Sequence, residues 1–288
     1  MPSDAIKSAS DRAVSPKSAS DWGRIVVPVA GGERDGAAIA AGAAVARRHE
    51  AELRIAYTPP DPSELTPWLT EGFIGGVQAN TVETLREAGV EGERAARAAC
   101  EREGYANKKF IALKTPVWRA MAVECRLADL VVFGSEAAQG KGPLAEIFEL
   151  VLMEERAATL VARGDLYPSG IAVVAWNGGD PASRAARRAV PLLRHASKVV
   201  ITGALASDQV CGLDDLQSYY ASRGVAAEVR PMDLVSDMGA ALIAAAEREG
   251  AGLLVAGAFG RTRLREFIFG GATRALLHGD GPSLFLAH

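Results

Sequence analysis

The chain carries one pattern of apolar runs twice. RIVVPVAGG at 24–32 returns as IAVVAWNGG at 171–179, DLVVFGSEA at 129–137 as GLLVAGAFG at 252–260, and PLAEIFELV at 143–151 as RLREFIFGG at 263–271. These runs lack two-residue alternation, which marks strands buried on both faces, and helix-length stretches separate them. The pattern calls for an α/β fold of two similar doubly wound units, each a five-stranded parallel sheet with helices on both faces. A length of 288 residues has room for both. The boundary falls at 165–170, where Tyr167-Pro168-Ser169 forms a connector, giving one unit over 23–165 and another over 170–288. Residues 1–22 are mostly polar and serine-rich and are expected to be a disordered tail.

Strands are expected at 24–29, 53–57, 110–114, 130–133 and 159–162, then at 171–175, 199–203, 226–230, 253–256 and 283–287. The helix over 36–49 takes Asp35 as its N-cap, and a long helix over 77–103 is expected to bend at Gly89 and Gly92. Thr115 is the expected N-cap of a short helix over 117–126. Asp180-Pro181 starts a helix to about His195, an acidic cap followed by proline in the first turn. Pro28 conflicts with this scheme, since it removes a ladder donor from an inner strand.

Charge and composition narrow the function. Lys and Arg total 32 against 35 Asp and Glu, so no strong field exists to hold a nucleic acid. The three cysteines, Cys100, Cys125 and Cys211, form no C-x-x-C, and the four histidines lie far apart, so no tightly bound metal is expected. No apolar run is long enough to span a membrane and no signal peptide is evident, which points to the cytoplasm. There is no G-K-[ST] loop, no G-x-G-x-x-G after the first strand and no G-x-S-x-G elbow.

In open parallel sheets ligands bind at the carboxyl ends of strands where strand order reverses. In the second copy that point joins the turn after 171–175 to the stretch after 253–256. The first supplies Trp176, Asn177, Gly178 and Gly179. The second reads Gly257-Ala-Phe-Gly260-Arg261, then Gly270, Gly271, Ala272 and Thr273 ahead of a helix. Glycines let a ligand approach the backbone, and bare amides before a helix seat phosphate oxygens. Thr273 offers a hydroxyl, and Arg261 or Arg263 a compensating charge. Each residue also has a structural reading: the glycines as turns, Asn177-Gly178 as a turn pair, Trp176 as packing. Trp68, Trp118 and 267–269 are expected in core or interface, and Arg184, Arg187 and Arg188 on a solvated face. His195 and His278 are expected as helix-end cations, and the cysteines as small buried groups.

The spacing G-x2-G-x9-G after a strand resembles the ATP-binding motif of the universal stress protein family. The opening strand with its polar-glycine turn, and the ending GPSLFL at 281–286, resemble that family too. The likeness runs from residue 24 in two copies, so the chain resembles a tandem member. It implies strand order 3-2-1-4-5 in each unit and pairing of the two last strands, an intrachain pseudo-dimer with which a further homodimer is compatible. It implies an ATP or AMP ligand, with Mg as an accompanying ion.

Two departures stand in the second copy. The family's usual aspartate after the first strand is Asn177, and the usual Ser or Thr after the third glycine is Gly271. The first copy departs further, with Ala30, Ala137 and Leu150-Val151 at the corresponding places and Glu136, Glu146 and Glu149 nearby. Branched residues close the backbone seat and carboxylates repel phosphate, so that copy should be silent. The expected function is a stress-related ATP- or AMP-binding accessory protein with one site and at most slow ATPase activity. The alternative is a nucleotide-free scaffold in which both sites have decayed.

Overall fold

A computed structural model describes residues 22–60, 75–164, 170–204, 211–258 and 271–288, the side chains of 75–82 excepted. The first half runs β1 (Arg24–Val29), α1 (Asp35–His49), β2 (Glu52–Tyr57), α2 (Gly75–Arg102), β3 (Lys108–Ala112), α3 (Val117–Cys125) and β4 (Leu130–Gly134). It closes with α4 (Ser135–Ala138), α5 (Ala145–Glu149), which continues as a π-turn over Leu150–Glu154, and β5 (Thr159–Ala162). The second half runs β6 (Ile171–Ala175), α6 (Asp180–Arg188), α7 (Val190–Leu193), β7 (Lys198–Gly203), α8 (Leu213–Ser222) and β8 (Ala227–Pro231). It ends with α9 (Met238–Arg248), β9 (Leu253–Gly257), α10 (Gly271–His278) and β10 (Ser283–Ala287).

The strands form one ten-stranded sheet, β3-β2-β1-β4-β5-β10-β9-β6-β7-β8. Each half has the order 3-2-1-4-5 and is parallel throughout, and the halves join by antiparallel pairing of β5 with β10, Leu160 opposite Phe285. Both faces of the central strands are apolar. Ile25 and Val27 of β1 pack to one side with Val174 and Phe285, and Val26 packs to the other with Val173 and Leu284. Each of the two cores therefore runs through both halves. The outer strands β3 and β8 carry Lys108, Lys109, Glu228, Arg230 and Pro231, which blunt the open edges against further pairing.

Several local expectations are corrected. Helix α2 is unbroken from Gly75 to Arg102; Gly92 permits close packing there rather than a bend. Strand β3 begins two residues early because Leu53 pairs with Lys108, so partner geometry and not apolar content sets its start. Pro116, not Thr115, occupies the N-cap of α3. Pro191 lies at a join between α6 and α7. Trp22 belongs to the core: it is buried, stacks on Phe285 at 6.2 Å and lies 4.9 Å from His49. Trp118 is 57% exposed on α3, which removes it from the core of the chain.

Pro28 is accommodated simply. It pairs with Ala56 of β2, while the β1–β4 register covers only Ile25 and Val26, so the side missing an N–H lies past the end of that ladder. Among the described residues no helix is long and apolar enough to cross a membrane. Residues 1–21, the 165–169 connector, Trp68 and 267–269 lie outside the described residues.

Candidate functional site

Strand order reverses between β6, which pairs with β7 on one side and β9 on the other, so a crevice opens at the carboxyl ends of β6 and β9. The chain leaves β6 at Trp176, whose N–H still donates to the Thr202 carbonyl. It turns through Gly178 at φ +70°, a value that glycine adopts without strain. The exposed Asn177 closes the turn by accepting the Gly179 N–H on Oδ1 at 3.0 Å. Among the described residues no acceptor meets the Gly178 N–H. Helix α6 follows with Asp180 and Pro181 in its first turn, a carboxylate suited to that end of the helix.

Gly257, at the end of β9, has a structural duty. A Cβ there would lie 2.3 Å from the Ala182 N and 2.5 Å from the Pro181 carbonyl carbon, so its bare backbone lets α6 sit on the strand end. Ala258 is fully buried, its N–H donating to the Ala287 carbonyl at 2.9 Å while the His288 ring meets its carbonyl at 3.1 Å. Gly260, Arg261, Arg263 and Gly270 lie outside the described residues. Gly271 and Ala272 are exposed at the start of α10, and a Cβ on Gly271 would meet nothing within 4 Å. Thr273 is buried. Gly239 of α9 packs against this turn, for a Cβ there would lie 2.7 Å from the Ala272 carbonyl oxygen.

Trp176 is packing. It is 5% exposed and donates its indole N–H to the Cys211 carbonyl at 3.2 Å, so its ring has no free face to offer a base. His278 ends α10 as expected, whereas His195 packs edge-on against His49 at 5.2 Å. That pair joins corresponding Arg-His positions of the two copies, each three residues before its second strand. Arg187 and Arg188 are exposed, while Cys100 and Cys125 are buried, and burial pushes the Cys125 thiol up to about 12.

The corresponding crevice in the first half is closed by the chain itself. The amides of Ala30, Gly31 and Gly32 donate to the Asp35 carboxylate at 3.3, 2.6 and 3.0 Å. Gly31, at φ +84°, lies against α2, and the Tyr57 hydroxyl donates to the Gly89 carbonyl of that helix at 2.7 Å. Arg34 pairs with Glu136 of α4, joining the segments that follow β1 and β4. Leu150 and Val151 continue a helix, and Val151 is fully buried.

Asp35 was expected to cap its own helix. It is instead the first helical residue and turns back onto the preceding loop. The available signal was the pair Glu33-Arg34, two residues more than the second copy has between Gly179 and Asp180. They supply the slack that brings a carboxylate over the loop amides.

Burial pushes the Asp35 carboxyl above its ordinary value of 3.8, and the three amides pull it back only in part. A raised acid adds stability below its unfolded value and loses it as pH climbs through the folded one. Relative to Asp35→Asn, the wild-type chain should therefore lose stability between about pH 4 and pH 7. Urea midpoints of both proteins at the two pH values measure this, and a wild-type advantage that grows with pH would contradict it.

Solved structures share this architecture. A universal stress protein from Archaeoglobus fulgidus DSM 4304 matches at a TM-score of 0.64 with 14% identity, over 93% of this chain and 97% of that one. The fold is shared. A functionally unknown protein from Pseudomonas aeruginosa PAO1 matches at 0.54 and 13%, over 93% of each chain. No family model and no curated protein matches the sequence. At these identities the likeness speaks to the fold alone.

Proposed function

We propose that the chain is a cytoplasmic, stress-related accessory protein that binds one adenine nucleotide, ATP or AMP, in its second half and turns it over slowly or not at all. Residues 23–165 and 170–288 act as two domains, the first a silent partner. The observation that carries this reading is the contrast between the two crevices. One has its loop amides filled by Asp35, while in the other no described residue meets the Gly178 N–H or lies within 4 Å of where a Gly271 Cβ would be. Those groups suit an anionic ligand: backbone donors, a helix amino end and, among the described residues, no carboxylate bonded to the loop amides.

In this reading Asn177 and Gly178 meet the nucleoside end, while Gly260, Arg261, Gly270, Gly271 and Ala272 surround the phosphates. Gly257 and Thr273 support the seat from behind, since one holds α6 and the other is buried. A bound Mg ion would accompany the phosphates rather than a dedicated set of side chains.

Mg-ATP at 100 times its Kd should stabilise the fold by about 2.7 kcal/mol, a rise in melting temperature of about 5 °C. Gly270→Val should abolish the rise and leave the protein folded. A rise that persists in the variant would place the ligand elsewhere. The burial of Trp176 and Thr273 and the packing of Gly257 against α6 also favour a second reading, a nucleotide-free interaction protein, for which no nucleotide would shift the melting curve.

A further inference from the structure

The C-terminal carbonyls of any helix lack intrahelical donors and need partners from elsewhere. At α10 the partner comes from the other half of the chain. Arg163 follows directly on β5, and its Nη2 donates to the Leu276 and Leu277 carbonyls at 2.6 and 3.0 Å. Its Nη1 reaches the Pro282 carbonyl at 3.4 Å. The backbone is fixed as well: the Arg163 N–H donates to Ser283 Oγ at 3.0 Å, and that hydroxyl donates to the Arg163 carbonyl at 3.3 Å. Ser283 is 1% exposed, so the contact is anchored inside the sheet junction. A guanidinium at this end also matches the negative pole of the helix.

Helix α10 is only eight residues long, about 12 Å from end to end. A body that short moves as a unit, so fixing its carboxyl end fixes its amino end. We propose that Arg163, from the first half, is a positioning residue for the anion seat of the second half, holding α10 where Gly271 and Ala272 present their amides. This rests on the nucleotide reading above. The half with the closed crevice thus completes the open one without touching the ligand.

Arg163→Ala and Arg163→Lys in the full chain test this. Two quantities are read: hydrogen exchange across 275–278 without ligand, and the Kd for Mg-ATP well below the melting temperature. Arg163→Ala should exchange about tenfold faster in α10 and bind Mg-ATP about tenfold more weakly, because several charge-assisted bonds are lost. Arg163→Lys should fall between, since an ammonium keeps the charge and loses the fork.

A fall in melting temperature with an unchanged Kd would reduce Arg163 to a structural brace and overturn the proposal. So would wild-type exchange rates in the alanine variant. If the wild-type chain binds no Mg-ATP, the nucleotide reading fails separately, and the exchange rates alone keep or end the clamp. Should Arg163→Ala not fold, Arg163→Gln keeps the stem and removes the charge, and carries the same comparison.

Discussion

Gly31→Val should lower the unfolding free energy by about 4 kcal/mol, combining backbone strain with overpacking. Gly31 sits at φ +84°, where a branched side chain is strained before any contact is considered. Its Cβ would then lie 2.3 Å from the Gly92 carbonyl oxygen and 2.4 Å from the Gly92 Cα, both backbone atoms of a helix that cannot step aside. Moving α2 outward would also break the Tyr57–Gly89 hydrogen bond. Gly32→Ala is the control, since a Cβ there meets nothing within 4 Å, and its loss should stay under about 1 kcal/mol. Denaturant midpoints of the three proteins measure the difference, and equal losses at both glycines would remove the close contact from the account.

Phe285→Ala should be comparably severe, at about 4 kcal/mol. The ring is fully buried at the middle of the sheet, opposite Leu160 and stacked on Trp22. The core it belongs to includes Ile25 and Val174, one residue from each half, so the cavity weakens both at once. Tryptophan fluorescence and far-ultraviolet circular dichroism should therefore report one shared transition at lower denaturant. Two separated transitions, with one at the wild-type midpoint, would mean that the halves unfold independently and that the common core is energetically divided.

The repeat was enough to read the architecture, because strands buried on both faces leave continuous apolar runs. At 159–162, 171–175 and 283–287 the expected and observed strands coincide, each run being closed by a charge, a glycine or a proline. Legibility fell where position depends on a distant neighbour. The start of β3 is set by Lys108 facing Leu53, which no local pattern encodes. Gly92 looked like a bend and is a contact surface, and both roles ask for the same missing side chain. Trp118, expected in core or interface, lies on the surface, because size alone does not separate those two places.

For the candidate site, Asn177, Gly178 and Gly257 were placed at the correct strand ends by topology alone. Their division into turn and packing positions was not visible, because a glycine that makes a turn and one that admits a helix are the same letter. Asp35 was the clearest omission. Its role depends on chain reversal over five residues, while propensity reasoning treats an acidic residue before a helix as a forward cap.

The antiparallel seam between β5 and β10 sets the two halves head to tail, so their crevices open on opposite rims of the sheet. One small molecule cannot bridge the two. Because both halves belong to a single chain, their meeting is intramolecular and insensitive to dilution. Neither surface has to match a copy of itself, as identical subunits about a two-fold axis must. Each side is then free to change without its mirror image changing, and so one rim carries Asp35 over its loop amides while the other carries Asn177 in the corresponding turn.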